Sequence, residues 1–289
     1  MRKIAIVTDS SANLPRELVE KHHIFVVPVL IYLDGREYHD GVDVTPSDIY
    51  RYLRASSNGN LPKTATPSVG DFLRTYAQAL QQAEEIVSIH LAKELSAVCQ
   101  TAELASKLVD APVHVLDCRT AALGCGFAAL EAARLADSGA DASAVLERAR
   151  EIAQKTRIYA SLDTLYYLHR GGHVPSIASL AGSALKLCPI LSIGNGQARL
   201  VELPRTRRRA VSRLLELIYS DVGKHPVHAA VMHADVPEEA EALRDELARN
   251  LDCRELFITE FTPVMGTHTG PGLIGLAWWA EPEANPSQH

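Results

Sequence analysis

Two segments near the ends of this 289-residue chain carry the side chains best suited to chemistry. The first is Thr8-Asp9-Ser10-Ser11-Ala12-Asn13-Leu14-Pro15, a predicted strand end, hydroxyl-bearing turn and helix start. The second is Gly266-Thr267-His268-Thr269-Gly270-Pro271-Gly272, which we predict to be a loop between two strands. Neither contains Lys or Arg, so an anion would be bound by hydroxyls, by backbone N–H groups at a helix N-terminus and by one imidazole. Such a site suits a carboxylate better than a polyphosphate.

Hydrolysis is a second interpretation of similar residues. Ser96, His268 and one of many carboxylates could form a catalytic triad, since such residues converge only in space. The chain contains no G-x-S-x-G nucleophile elbow, which disfavours an α/β-hydrolase. A binding role for Ser96 and His268 is the preferred hypothesis, and an acyl or small-carbonyl hydrolase or kinase-like enzyme is the alternative.

The run Gly124-Cys125-Gly126-Phe127-Ala128-Ala129 matches the G-x-G-x-x-A dinucleotide fingerprint as a string. That fingerprint needs its first glycine in the turn directly after a strand, whereas Gly124 lies seven residues beyond Asp117 in an alanine-rich predicted helix. We therefore predict that these small residues let a helix approach a sheet closely.

A basic run, Arg205-Thr206-Arg207-Arg208-Arg209, lies at a predicted helix start, where the helix dipole disfavours cations. Two hypotheses remain open at this stage. Either the run faces an anionic partner, or it is a solvated helix end with Glu202 and other acids nearby.

The composition excludes several classes of protein. A net charge of −6 and a pI near 6.1 disfavour nucleic-acid binding and adhesion to an anionic membrane, which need a basic face. The five cysteines lie in apolar contexts without a Cys-x-x-Cys pair, which indicates reduced thiols and makes zinc unexpected. The longest apolar runs are too short to span a bilayer, so we expect a soluble, cytoplasmic protein without an integral membrane segment.

The order of predicted elements indicates an α/β protein with two domains. In residues 1–156, β-branched strands alternate with helices, which predicts a parallel sheet in a three-layer α/β/α domain. Thr45-Pro46-Ser47-Asp48 and Ser68-Val69-Gly70-Asp71 both have the pattern of capping-box helix starts. In residues 157–283, the Gly194-Asn195-Gly196 turn predicts a hairpin and hence a mixed sheet in a two-layer α/β domain. A helix Ser176–Leu187 and a disordered tail, 284–289, complete the prediction.

Taken in order, these motifs closely resemble the DegV family from about residue 3 to residue 279. The segments that carry the resemblance are Thr8-Asp9-Ser10-Ser11, Pro62-Lys63-Thr64-Ala65-Thr66-Pro67-Ser68, Leu95-Ser96, Gly171-Gly172, Pro189-Ile190-Leu191, Arg205-Thr206-Arg207 and Gly266–Gly272. The resemblance implies a two-domain fold that binds a fatty acid between its domains. It also implies that the acyl carboxylate is presented to a separate ATP-dependent fatty acid kinase, which feeds phospholipid synthesis.

Site residues follow from the same resemblance. The carboxylate of a long-chain fatty acid such as palmitate, stearate or oleate would be bound by Thr64, Ser96 and His268. The pocket would be lined by Asp9, Ser10, Ser11, Ala65, Thr267 and Thr269. Arg205 and Arg207 would contact the kinase. The resemblance implies a carrier without cofactor, metal or chemistry of its own.

The chain departs from the family pattern at several positions. Ala65 and Thr66 replace a common Ser-Gln pair, and Ala97, Val98 and Cys99 replace a common Gly-Thr-Tyr run. The common Lys-Gly-Gly-Arg is Arg170-Gly171-Gly172-His173, and Cys188 replaces a lysine. These changes spare the head-group positions and bear on the acyl-chain preference and on kinase docking.

Overall fold

The computed structural model describes residues 2–55, 61–171 and 187–282. The strands in these ranges are β1 (Arg2–Asp9), β2 (Phe25–Val27), β3 (Leu30–Leu33), β4 (Arg36–His39), β5 (Lys63–Ala65), β6 (Ala83–His90), β7 (Val113–Asp117), β8 (Arg157–Ser161), β9 (Ile190–Gly194), β10 (Gln197–Glu202), β11 (Val227–His233), β12 (Cys253–Glu260) and β13 (Ile274–Ala280). The α-helices there are α1 (Arg16–Lys21), α2 (Pro46–Ala55), α3 (Val69–Leu80), α4 (Val98–Ser106), α5 (Leu123–Asp137), α6 (Ala142–Lys155), α7 (Tyr166–Gly171), α8 (Arg207–Val222), α9 (Pro237–Asn250) and α10 (Pro263–Thr269).

The first sheet is parallel, in the strand order β2-β1-β6-β7. Its central strand β1 is buried from Ile4 onward, as expected for a parallel sheet that is covered on both faces. Helix α3 packs with α4 and helix α5 packs with α6, and both pairs contact the sheet. Gly126 allows α5 to pack closely against the turn that follows β1, because a Cβ there would lie 2.5 Å from the carbonyl oxygen of Ala12. The predicted packing role of this glycine-rich run is confirmed.

The second sheet is mixed, in the order β10-β9-β8-β13-β11-β12. Strands β11 and β12 pair in parallel and the other neighbours pair antiparallel. The predicted hairpin is confirmed, since Gly194 pairs with Gln197 across the turn. Helices α8 and α9 pack on this sheet. The predicted fold class, α/β with a parallel and a mixed sheet, is therefore confirmed, and the proposed boundary at residues 156 and 157 stays a prediction.

A three-stranded antiparallel sheet, β4-β3-β5, is an element that the sequence did not predict. Its strands are only three or four residues long, below the length at which alternation is readable. Both capping boxes are confirmed: Thr45 and Asp48 exchange hydrogen bonds at the start of α2, and Ser68 and Asp71 do so at the start of α3.

Side chains from both sheets share one hydrophobic core, and the opposite face of the second sheet forms another with α8 and α9. Phe127 of α5 contacts Phe257 of β12, with ring centroids 5.7 Å apart. Polar bonds join the two halves as well, because Asn13 donates to Thr259 Oγ1 at 3.1 Å and accepts from the Thr262 N–H at 2.9 Å. The predicted helix Ser176–Leu187 and the predicted tail fall, apart from Leu187, outside the described residues.

Candidate functional site

A cavity of about 330 Å³ lies between the first sheet and the second. On one side it is lined by residues that follow the carboxyl ends of parallel strands: Ser11 after β1, Val29 after β2 and Leu91 after β6. On the other side it is lined by Ile193 of β9 and Ala198 of β10. The strand order reverses between β1 and β6, and such a switch point is where open α/β sheets bind ligands. The volume falls in the range of small-molecule sites.

Most of the cavity wall is aliphatic. Further apolar lining comes from Leu95, Val98, Ala121, Leu168, Val264 and Met265. No Lys, Arg, Asp or Glu is among the described lining residues. An uncharged aliphatic wall suits an extended hydrocarbon chain.

The polar residues Thr64, Ser96 and His268 all reach this cavity. Thr64 lies on β5, where it pairs with Ile31 of β3, and His268 lies near the end of α10. The Thr64 hydroxyl and His268 Nε2 are 3.0 Å apart, and all three residues are partly buried. A hydroxyl and an imidazole N–H can donate hydrogen bonds to a carboxylate.

Helix α4 begins at the same wall and was not predicted from the sequence. Its N-cap Ala97 and first residue Val98 line the cavity directly after Ser96. The unpaired N–H groups of a helix start favour a nearby anion. The spacing of the buried Val98, Ala102 and Ala105 is the signal that could have revealed this helix.

The segment that carries His268 is a helix rather than the predicted loop. Thr262 precedes Pro263 at the first helical position, which favours a helix start as Thr45-Pro46 does in α2. Two of its glycines serve close packing: a Cβ at Gly266 would lie 2.9 Å from the Tyr50 ring, and one at Gly270 would lie 2.1 Å from the Tyr167 ring. These glycines fit the helix against its neighbours.

Asp40 anchors the start of α10. One of its carboxylate oxygens accepts the Val264 N–H at 2.9 Å, and the side chain is almost fully buried. Burial raises the pKa of Asp40 to about 6, against the opposing effect of the hydrogen bond from the Val264 N–H. His268 is therefore positioned through a helix that the amino-terminal half of the chain anchors.

The hydroxyl-rich turn after β1 is used mainly inside the fold. Ser11 lines the cavity, but its hydroxyl and its N–H both donate to the Asp9 carboxylate. Ser10 accepts the Val29 N–H at 3.0 Å and, with Asp9, lies outside the cavity lining. The expectation that Asp9 and Ser10 line the fatty acid pocket stays a prediction. Internal hydrogen bonding also removes Ser11 as a donor to an anion.

Asp9 belongs to a buried hydrogen-bond chain. Its second oxygen is 2.8 Å from His90 Nδ1, and His90 Nε2 is 2.7 Å from the Ser88 hydroxyl. This is the atom order of a Ser-His-Asp triad. Ser88 is fully buried and also bonded to the Tyr76 hydroxyl, so a substrate has no access to it. Through Asp9, these buried hydrogen bonds hold Ser11 in the cavity wall.

The remaining predicted lining residues divide between two cavities. Ala65 and Thr269 line the apolar cavity, whereas Thr267 donates to the Pro263 carbonyl and lines a neighbouring cavity of about 530 Å³. Thr64 and His268 line both cavities, so they stand where the two adjoin. This neighbouring cavity, called the second cavity below, is also lined by the cationic residues Lys63 and Arg170.

The comparison with known proteins decides the family. A model described as "Uncharacterised protein, DegV family" matches residues 3–281. The chain belongs to the DegV family. Protein DegV of Bacillus subtilis is 33% identical over 278 residues, which cover 95% of this chain and 98% of that protein. A DegV domain-containing protein of Streptomyces coelicolor is 35% identical over 277 residues, covering 95% of this chain and 98% of the relative.

Solved DegV structures share the whole fold. A DegV family protein from Thermus thermophilus, described by its fatty acid binding, superposes with a TM-score of 0.89 at 31% identity and covers 97% of this chain and 100% of its own. DegV from Bacillus subtilis, described as a fatty acid binding protein, gives a TM-score of 0.87 at 32% identity with the same coverages. A stearic acid-binding protein from Eubacterium ventriosum gives 0.86 at 25% identity, covering 97% of this chain and 98% of its own.

The basic run of this DegV protein is partly neutralised by its own chain. Arg207 pairs with Glu239 at 2.8 Å and with Asp163 at 3.3 Å. Arg209 pairs with Glu216. Arg205 is exposed and has no ion pair within the described residues. The helix-start prediction is confirmed, and the kinase contact of Arg205 and Arg207 stays a prediction.

The departures from the family pattern lie in different places. Ala65 lines the cavity, Cys99 is buried on α4, and Cys188 is half-buried before β9. His173 lies outside the described residues. Among the helices in the described ranges, none has the length and apolar character to cross a membrane. The same ranges hold no cluster of three or more His, Cys, Asp or Glu side chains placed to bind a metal ion.

Proposed function

We propose that this DegV protein binds a long-chain fatty acid such as palmitate, stearate or oleate in the apolar cavity, with the carboxylate at Thr64, Ser96 and His268. The supporting observation is an aliphatic cavity with these three polar side chains in its lining. Relatives that are 25–32% identical over nearly the whole chain are described as fatty acid or stearic acid binding proteins.

Burial of the hydrocarbon tail supplies the affinity. About 14 methylenes at about 0.8 kcal/mol each give roughly 11 kcal/mol before the cost of ordering the ligand is subtracted. The head group then sets the orientation. Thr64 and His268 bind one side of the carboxylate, and Ser96 with the first turn of α4 binds the other. Hydrogen bonds to a charged acceptor are the stronger kind, at about 1.5–3 kcal/mol each.

The protein acts as a carrier, and a separate ATP-dependent fatty acid kinase converts the bound carboxylate to an acyl phosphate for phospholipid synthesis. Support comes from the second cavity, which adjoins Thr64 and His268 and contains Lys63 and Arg170. A phosphoryl donor that approached from this side would meet cations beside the carboxylate. Arg205 provides an exposed cation for contact with the kinase. The protein itself needs no cofactor or metal for this role.

Extraction of the purified protein with organic solvent, followed by mass spectrometry, tests the binding step. We expect close to one long-chain fatty acid per chain. An empty protein that also fails to take up added palmitate or oleate would contradict the proposal. The transfer step is tested separately by adding ATP and a cognate kinase to the loaded protein and measuring acyl phosphate.

A further inference from the structure

A third cavity, which the fatty acid does not require, lies between the two halves of the chain and is lined by arginines. It has a volume of about 480 Å³ and receives Arg119, Arg150, Arg157 and Arg199. Its described lining contains a single carboxylate, Asp117, and one Asp117 oxygen accepts the Arg119 N–H at 2.8 Å. This concentration of positive charge stands against a net charge of −6 for the whole chain. We call it the arginine cavity.

The four guanidinium groups come from four separate parts of the fold. Arg119 follows β7, Arg150 lies on α6, Arg157 begins β8 and Arg199 lies on β10. Arg150 pairs with Glu147 at 2.6 Å, and Arg119 lies 3.5 Å from Glu94. Arg157 and Arg199 have no carboxylate partner within the described residues. Most other arginines in the described ranges are ion-paired, although Arg36, Arg205 and Arg208 also lack a carboxylate partner there.

The cavity wall is held in a fixed conformation. Arg119 has a φ of +53°, a left-handed backbone conformation that is unfavourable for this residue. Its carbonyl accepts the Gly196 N–H at 2.7 Å, which ties the loop after β7 to the hairpin of the second sheet. Gly196 has a φ of +76°, which favours glycine at this position of the hairpin. This hydrogen bond fixes the arginines of the two halves of the chain relative to one another.

The arginine cavity is separate from the fatty acid cavity, although the two adjoin at Ile193. Alternation along β10 explains the separation, because the exposed Arg199 follows Ala198, which lines the apolar cavity. The fatty acid head-group residues Thr64, Ser96 and His268 are not in its lining.

We propose that the arginine cavity binds a soluble anion that carries two or more phosphate groups, a diphosphate being the smallest member of that class. A planar guanidinium donates two parallel hydrogen bonds to phosphate oxygens and keeps its charge at any physiological pH. Several guanidinium groups in one concave site select a ligand with several negative charges over a single phosphate. Thr120 and Ser192 add hydroxyls to the same lining.

Isothermal titration calorimetry with inorganic pyrophosphate tests the proposal on the full-length protein as purified. We expect saturable binding of one pyrophosphate per chain, weaker at higher salt, and weaker binding of inorganic phosphate. The double variant Arg157→Ala/Arg199→Ala should bind at least about tenfold more weakly, which corresponds to about 1.4 kcal/mol. Arg36→Ala is the matched control, because Arg36 is also exposed and lacks an ion pair within the described residues.

The milder variant Arg199→Gln keeps the test valid if the double variant unfolds, and thermal denaturation reports on folding. Equal pyrophosphate affinity in wild type, the arginine variants and the control would overturn the proposal. Co-sedimentation with phosphatidylglycerol vesicles forms a second arm. Binding to vesicles without binding to pyrophosphate would also overturn it, since the arginines would then face a lipid surface.

Discussion

Replacement of Thr64 by valine tests the proposed head-group site directly. The change removes the hydroxyl that lies 3.0 Å from His268 Nε2 and keeps a β-branched side chain on β5. The backbone pairing of Thr64 with Ile31 is retained. If the carboxylate accepts a hydrogen bond from Thr64, its loss costs about 1.5–3 kcal/mol, or roughly a 10- to 150-fold weaker Kd for palmitate.

In the ligand-free protein, the Thr64→Val change should cost less free energy. There the hydroxyl contacts an imidazole, and a hydrogen bond of that kind contributes about 0.5–1.5 kcal/mol to the free energy of unfolding. We therefore expect the affinity for palmitate to fall more than the stability. Thr66→Val is the matched control, since Thr66 is a neighbouring hydroxyl in the same cavity lining.

Competition against a fluorescent fatty acid, measured on delipidated protein, gives the affinities for palmitate and for 1-hexadecanol. Palmitate should bind Thr64→Val much more weakly than wild type, whereas 1-hexadecanol, which has the same tail and no carboxylate, should change little. Unchanged palmitate affinity would refute the placement of the head group. An equal loss for palmitate and hexadecanol would also refute it, because the effect would then arise in the tail or in the fold.

Further substitutions separate binding, transfer and stability. Ser96→Ala and His268→Ala should each weaken fatty acid binding by about 1.5–3 kcal/mol while circular dichroism shows a retained fold; unchanged affinity in both would contradict the site. Arg205→Ala should keep fatty acid occupancy and lower acyl-phosphate formation by a cognate kinase, with a wild-type rate that falls as salt rises, whereas Arg36→Ala keeps the full rate. Asp40→Asn should change the pH dependence of stability. Because the pKa of Asp40 is raised from 3.8 to about 6 in the folded protein, its stabilising contribution is complete below pH 3.8 and is lost as the pH rises through 6. The wild-type free energy of unfolding should thus fall by up to about 3 kcal/mol between those values relative to the variant, as measured by denaturant titration at several pH values; identical pH profiles would contradict the assignment.

The sequence predicted the regular elements of this fold well where local signals were strong. Alternating strands and helices identified the parallel sheet, and the Gly194-Asn195-Gly196 turn identified the mixed one. The three-stranded sheet and α4 were missed because short strands and a nine-residue helix carry weak periodicity.

The site was predictable by residue type but less so by arrangement. Thr64 and His268 are 204 residues apart in the chain, and only tertiary packing brings them together. For the turn after β1, the sequence indicated hydroxyls but could not show that Ser11 donates to Asp9. Hydroxyls and carboxylates satisfy one another whenever they are buried together, so an excess of polar residues in a motif does not by itself reveal which of them face a ligand.

The position of His268 depends on contacts between the two halves of the chain. Helix α10 has seven residues, too few to be stable alone, so tertiary contacts must supply its stability. Asp40 accepts the Val264 N–H, Asn13 accepts the Thr262 N–H and Tyr50 packs against Gly266, and all three lie in the amino-terminal half. The cavity and its polar residues therefore form only when the halves are packed together. A ligand that contacts both halves therefore stabilises their packing. By thermodynamic linkage, the packing of the halves strengthens ligand binding by the same free energy.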